Sequence, residues 1–111
     1  RQASRKEKLC WRFWELICKN CRRHREVAFY ADELCITPFY LSQITKDFMN
    51  DTPKGLIERQ VMLEMKMLLE TTDMSVKEIA GYLNFEDGSY MCRFFKRHTG
   101  ISLIEYRRIH Q

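Results

Sequence analysis

Glycine and proline are scarce in this chain, four and two among 111 residues, which removes most of the material for hairpin turns, sheets or a flexible linker. The expected architecture is all-α. A glycine-rich phosphate loop is missing, and His24, His98 and His110 are scattered with no partnered nucleophile. Neither a nucleotide cradle nor a catalytic triad therefore has its residues, and the pairs Asp32-Glu33 and Glu86-Asp87 read as surface or cap positions. Catalysis is not expected. No window approaches the roughly 18 apolar residues of a membrane span, and no charged-then-apolar leader opens the chain. No membrane partner is expected, and the first residue, Arg1, suggests a fragment of something longer.

The cysteines number five, an odd count without a loop-rich disulfide framework. Cys10, Cys18, Cys35 and Cys92 fall among apolar neighbours as small core residues do, which points to a reducing compartment, the cytoplasm. Cys18-Lys19-Asn20-Cys21 with His24 three residues on has part of a zinc-site spacing. No second pair follows at zinc-finger spacing and the segment is helical in pattern, so neither a metal nor another cofactor is expected.

What is present is charge with a pattern. From Arg1 to Arg25 nine Lys/Arg stand against two acidic residues; from Glu26 to Cys92, five against twelve; from Arg93 to the end, five against one. The balance runs +7, −7, +4 and adds to the net +4. Basic ends around an acidic middle suit a polyanion touched chiefly at the start and end, because phosphate contact needs cations delivered locally.

Apolar residues at 9, 10, 13, 14, 16, 17, 18 and 21 give a helical period over Lys8 to His24. Trp11 and Trp14 are expected there as core anchors. A short helix over Phe29 to Cys35 leads through Ile36-Thr37-Pro38 into a second helix, Pro38 to Met49, with Thr37 as N-cap and Pro38 at the first position. Leu41, Ile44 and Phe48 are expected inward, and Asn50 tolerates the left-handed stop. Thr52-Pro53 opens a long helix to about Thr71, with Ile57, Val61, Leu63, Met65, Leu68 and Leu69 as its apolar surface. At 1.5 Å per residue, about 18 residues make a strut of roughly 27 Å, near the roughly 34 Å spacing of successive major grooves. Ser75-Val76-Lys77-Glu78 is a capping box for a helix over Val76 to Leu83. Asp87 caps another that stops at Gly100, with Met91, Phe94 or Phe95, and Thr99 inward. A second capping box at Ser102 to Glu105 opens the last helix.

The two halves repeat. Tyr40-Leu41-Ser42-Gln43-Ile44-Thr45-Lys46 lies over Tyr90-Met91-Cys92-Arg93-Phe94-Phe95-Lys96 at a shift of 50, and Asn50 lies over Gly100. A short helix, a tight turn and a second helix, apolar on one face and rich in Tyr, Gln, Arg and Lys on the other, is the outline of a helix-turn-helix. Two of them suit one molecule reading two turns of duplex.

The pattern Tyr30-Ala31-x-x-Leu34-x-Ile36-Thr37-Pro38-x-Tyr40-Leu41-Ser42 is followed by Ser75-x-x-Glu78-Ile79-Ala80-x-x-Leu83-x-Phe85-x-x-x-Ser89-Tyr90. Then comes Phe95-Lys96-Arg97-x-Thr99-Gly100-Ile101-Ser102-x-x-Glu105-Tyr106-Arg107. Together these resemble the DNA-binding domain of AraC-type (AraC/XylS) transcription regulators, over about Lys8 to Arg108. The resemblance implies seven helices in two helix-turn-helix subdomains, 1–52 and 72–111, joined by the connecting helix 53–71. It implies double-stranded promoter DNA as partner, RNA polymerase as a second, and a separate N-terminal sensing or dimerisation domain.

Carried over by position, the first recognition helix offers Phe39, Tyr40, Ser42 and Gln43 to base edges or backbone and Lys46 to phosphate. The second offers Gly88, Ser89, Tyr90 and Arg93, with Lys96 and Arg97 to phosphate. The chemistry agrees: Arg93 suits guanine O6/N7 and Gln43 adenine N6/N7 as bidentate donors. Gly88 departs from the family's frequent Gln, Thr45 from an aromatic core residue, Asn84 from a common Gly, and Val61 and Met65 from Arg and Ala. With the acidic middle, these departures keep a second reading open, a helical protein-interaction module retaining the fold with weak DNA binding.

Overall fold

A computed structural model describes residues 3–111, so the first two positions of the expected 1–52 subdomain lie outside the described residues. Among those described, seven α-helices form and no strand: α1 (Arg5–Asn20), α2 (Val27–Glu33), α3 (Pro38–Met49), α4 (Pro53–Thr71), α5 (Val76–Tyr82), α6 (Gly88–Thr99) and α7 (Leu103–His110). The chain divides into two compact units inside α4, between Gln60 and Val61.

In the first unit α1 starts earlier than Lys8, because the Ser4 hydroxyl caps it by accepting the Glu7 N–H at 3.2 Å. Its buried stripe is Leu9, Cys10, Phe13 and Ile17, continued by Cys21 just past the helix. That stripe sets which expectations fail. Trp11 follows Cys10 by one residue, about 100° round the helix, so it is 63% exposed instead of anchoring the core. Cys18 follows Ile17 in the same way and is exposed. Trp14, half-buried at the stripe's edge, lines an open groove of about 440 Å³ with Trp11, Phe48, Met49 and Leu56. Phe48, expected inward, is 46% exposed there, and Thr45 takes the buried place, its hydroxyl bonded to the Ser42 carbonyl of its own helix. Tyr30 closes the core, edge-on to Phe13 at 5.5 Å, with its hydroxyl donating to the His24 carbonyl at 2.7 Å. His24 itself stacks on Phe29, and no group of three His, Cys, Asp or Glu suited to a metal occurs among the described residues.

Helix α2 ends two residues before the expected Cys35. Cys35 adopts φ 58 and is exposed, not core. Its N–H bonds to the Asp32 carbonyl and that of Ile36 to the Ala31 carbonyl, a Schellman motif that satisfies the helix end and turns the chain.

The second unit uses the same device. Asn84, at φ 59, donates to the Gly81 carbonyl and Phe85 to the Ala80 carbonyl. The Ser75 capping box is complete, with both reciprocal bonds formed. Ile79, Ala80, Leu83, Met91, both Phe94 and Phe95, and Leu103 are buried, as are Val61, Met65, Leu68 and Leu69 of α4. Leu63, expected on the apolar surface of α4, is exposed on its other side. Gly100 takes φ 85 and donates to the Lys96 carbonyl at 2.8 Å, ending α6 where a side chain would be strained. No helix among the described residues is long and apolar enough to cross a membrane.

Candidate nucleic-acid interface

The two helix-turn-helix elements superpose in sequence with one extra residue in the second turn. The first helix of each begins with Val27 or Val76, a shift of 49, whereas the second begins with Pro38 or Gly88, a shift of 50. Both second helices are capped identically in kind. Thr37 Oγ1 accepts the Tyr40 N–H at 3.0 Å, and Asp87 Oδ1 accepts the Tyr90 N–H at 2.7 Å. Each cap fixes where its helix begins, and hence which side chains face outward.

On α3, Leu41, Ile44 and Thr45 are buried. Phe39, Gln43 and Lys46 are exposed, spaced four and three residues apart on one helical face; Tyr40 and Ser42 flank them half-buried. Phe39, at 72%, is the more exposed of the aromatic rings at the start of the two helices, against 41% for Tyr90.

On α6, Ser89, Tyr90, Arg93, Lys96 and Arg97 are all exposed opposite the buried Met91, Phe94 and Phe95. The Arg93 guanidinium lies 5.9 Å from the Tyr90 ring centroid, and that of Arg97 lies 5.5 Å from the Phe94 ring. Phe85 packs against both rings, at 5.9 Å and 5.3 Å. Aromatic supports of this kind limit the rotamers of two long cations and present them as a pair. At Gly88 a Cβ would stand 3.2 Å from Val76 Cγ1, a tight approach to which the valine side chain would have to yield by a few tenths of an ångström. Gly88 is half-buried at the helix start, so it offers backbone and not a side chain.

The two faces differ in charge. Helix α6 carries Arg93, Lys96 and Arg97 and no acidic residue, whereas α3 carries Lys46 beside Asp47. The basic ends expected to touch a polyanion also divide. Arg107 is committed to structure, donating to the Leu69, Thr72 and Met74 carbonyls where α4 ends; Arg108 is exposed. At the other end, Lys6 lines a cleft with Tyr40, Gln43, Ile44, Lys46 and Asp47. Sequence reasoning missed it by starting α1 at Lys8; the signal available was Ser4 ahead of the run Arg5-Lys6-Glu7-Lys8.

Residues 30–109 match the family described as "Helix-turn-helix domain". The arabinose operon regulatory protein of Salmonella typhimurium is 31% identical over 84 residues, 76% of this chain and 30% of that regulator. The chain thus spans less than a third of that relative's length. The C-terminal domain of AraT, a response regulator from Geobacillus stearothermophilus, has the same fold, with a TM-score of 0.85 at 26% identity, covering 96% of this chain and 88% of that one. The DNA-binding domain of AdpA, solved in complex with a target DNA, has a TM-score of 0.79 at 20% identity, covering 96% of this chain and 93% of that one.

Proposed function

Because the chain belongs to the AraC-type (AraC/XylS) family of helix-turn-helix transcription regulators, we propose that α3 and α6 each enter a major groove of one promoter duplex and read it with Gln43 and Arg93. The observation that carries this reading is the exposed face of α6. Arg93, Lys96 and Arg97 project from a helix with no acidic residue, two of them braced on aromatic rings. Arg93 has the planar fork that matches guanine O6/N7, while Lys96 and Arg97 suit the phosphates on either side. On α3, Gln43 matches adenine, Phe39, Tyr40 and Ser42 line the groove wall, and Lys46 takes a phosphate. Gly88 and Ser89 bring the start of α6 close to the backbone. A domain of the same fold was solved on its target DNA, and the reading extends that mode of binding to this chain. The whole regulator carries a separate sensing or dimerisation domain, works in the cytoplasm and meets RNA polymerase at the promoter.

The test is a salt titration of duplex binding by fluorescence anisotropy. Groove binding with phosphate contacts gives log K falling linearly with log salt, at a slope of about 0.9 per phosphate neutralised. A slope near zero, or no binding to any member of a random duplex pool, favours the protein-interaction module instead.

A further inference from the structure

Helix α3 is poorly equipped to hold DNA by itself. Its outward cation, Lys46, stands next to Asp47, so the face that would sit in the groove is locally neutral, whereas α6 brings three cations and no acid. A recognition helix that reads bases must also be held at a fixed depth by phosphate contacts alongside it. Beyond the one phosphate that Lys46 takes, contacts for α3 have to come from another element.

The structure places such an element. The first turn of α1 runs beside the exposed face of α3, and Lys6 shares one cleft with Tyr40, Gln43 and Lys46. Lys6 is exposed and makes no ion pair among the described residues, so its ammonium is available. It is also held in place: Ser4 caps the helix through the Glu7 N–H, Lys8 N–H bonds to the Ser4 carbonyl at 3.0 Å, and Leu9 and Cys10 bury the next turn in the core. The Cys10 thiol bonds to the Ile44 carbonyl of α3, which fixes α1 against the recognition helix. With Lys6 included, the cleft holds two lysines against one aspartate.

We propose that Lys6 is a DNA-backbone contact, neutralising the phosphate that flanks the groove read by α3, and that Asp47 on the same cleft weakens this grip. The proposal rests on the groove-binding reading above and adds α1 to the surface that meets DNA. Lys6 is a positioning residue: it carries no sequence information and holds α3 against the duplex through the backbone alone.

The experiment uses the duplex most enriched from a random pool by the wild-type chain, and a scrambled duplex of equal length, each titrated with salt. Lys6→Gln weakens binding severalfold on both duplexes alike and lowers the salt slope by about 0.9; Lys6→Arg keeps the slope. Asp47→Asn moves affinity the other way. Lys19→Gln, at the far end of α1, leaves the slope unchanged. A wild-type slope retained in Lys6→Gln overturns the proposal, as does an equal loss in Lys19→Gln, which would mark the effect as bulk charge. Failure of the wild type to bind any duplex would instead sink the groove-binding reading itself. Circular dichroism of each variant checks that α1 stays folded.

Discussion

The Tyr106 hydroxyl donates a hydrogen bond to the Glu70 carboxylate, tying α7 to the end of α4. Around it Phe95 packs edge-on at 5.3 Å and His110 stacks at 4.1 Å. Burial, and then the bond to Glu70, push the Tyr106 phenol from the ordinary 10.0 up to about 12. The folded state therefore keeps a proton that the unfolded chain gives up. The stability this contributes is complete below about pH 10 and is lost as pH rises toward 12. Phenolate absorbance followed with pH should show one tyrosine ionising late, and Tyr106→Phe should delete that step. Glu70→Gln should shift it only part of the way down, because burial, the larger cause, remains. A full return to the ordinary value in Glu70→Gln would show that the carboxylate alone is responsible.

Next to it, Arg107 closes the end of α4 from a distance in sequence. Its guanidinium donates to the Leu69 carbonyl at 3.3 Å, to Thr72 at 2.9 Å and to Met74 at 2.5 Å, groups that a helix end otherwise leaves to water. Arg107→Ala should destabilise the chain by roughly 1.5 to 3 kcal/mol, the range for hydrogen bonds to a charged group. Urea unfolding measures it. The salt slope of DNA binding should stay as in the wild type at temperatures where the variant is folded. A changed slope with unchanged stability would make Arg107 a phosphate contact.

The sequence carried the recognition helices well because their limits are written locally. Thr37-Pro38 with Asn50, and Asp87 with Gly100, are cap and stop residues whose chemistry acts within one turn, and α3 and α6 begin and end with them. Failures came where distant packing decides. Trp11 and Phe48 look like core residues until the buried stripes of α1 and α3 are known, and only the partner helices define those stripes. The Arg107 guanidinium reads as one more terminal cation until α4 is folded beside it. Similarly, Lys6 reaches the candidate interface only because α1 starts at the Ser4 cap and its first turn packs beside α3.

Cys35 marks another such place, and it yields a stability prediction. The residue sits at φ 58 in the left-handed region, where its counterpart in the second unit is Asn84, at φ 59. Asparagine tolerates this conformation, whereas cysteine meets the usual Cβ clash of about 1 kcal/mol or more. Cys35→Gly should relieve that strain and, after the extra chain entropy of glycine, stabilise the protein by roughly 0.5 to 1 kcal/mol. Cys35→Ala keeps the Cβ and should gain nothing. Thermal melts of the two variants decide it: equal midpoints for Gly and Ala would show that the thiol, not the backbone, sets the effect.

The reading of DNA is staked on Arg93. Its guanidinium rests near the Tyr90 ring in the middle of the exposed face, with Lys96 and Arg97 one turn further along α6. In the proposed groove-binding mode Arg93 would reach the groove floor while the other two would meet the backbone, so its loss should change discrimination more than adhesion. Arg93→Ala should cost roughly 1 to 3 kcal/mol on the selected duplex and relax preference at one base pair. Arg93→Lys should recover little of it, because an ammonium cannot make the two parallel bonds to guanine. Lys96→Ala, by contrast, should weaken selected and scrambled duplexes alike and lower the salt slope by about one. Tyr90→Ala should reproduce part of the Arg93→Ala defect by freeing the guanidinium, with its charge and the salt slope left intact. The measurement is binding of each variant to both duplexes at matched salt. Equal losses on the two duplexes for Arg93→Ala would demote Arg93 to a phosphate contact, and no loss on either would remove α6 from the reading of sequence.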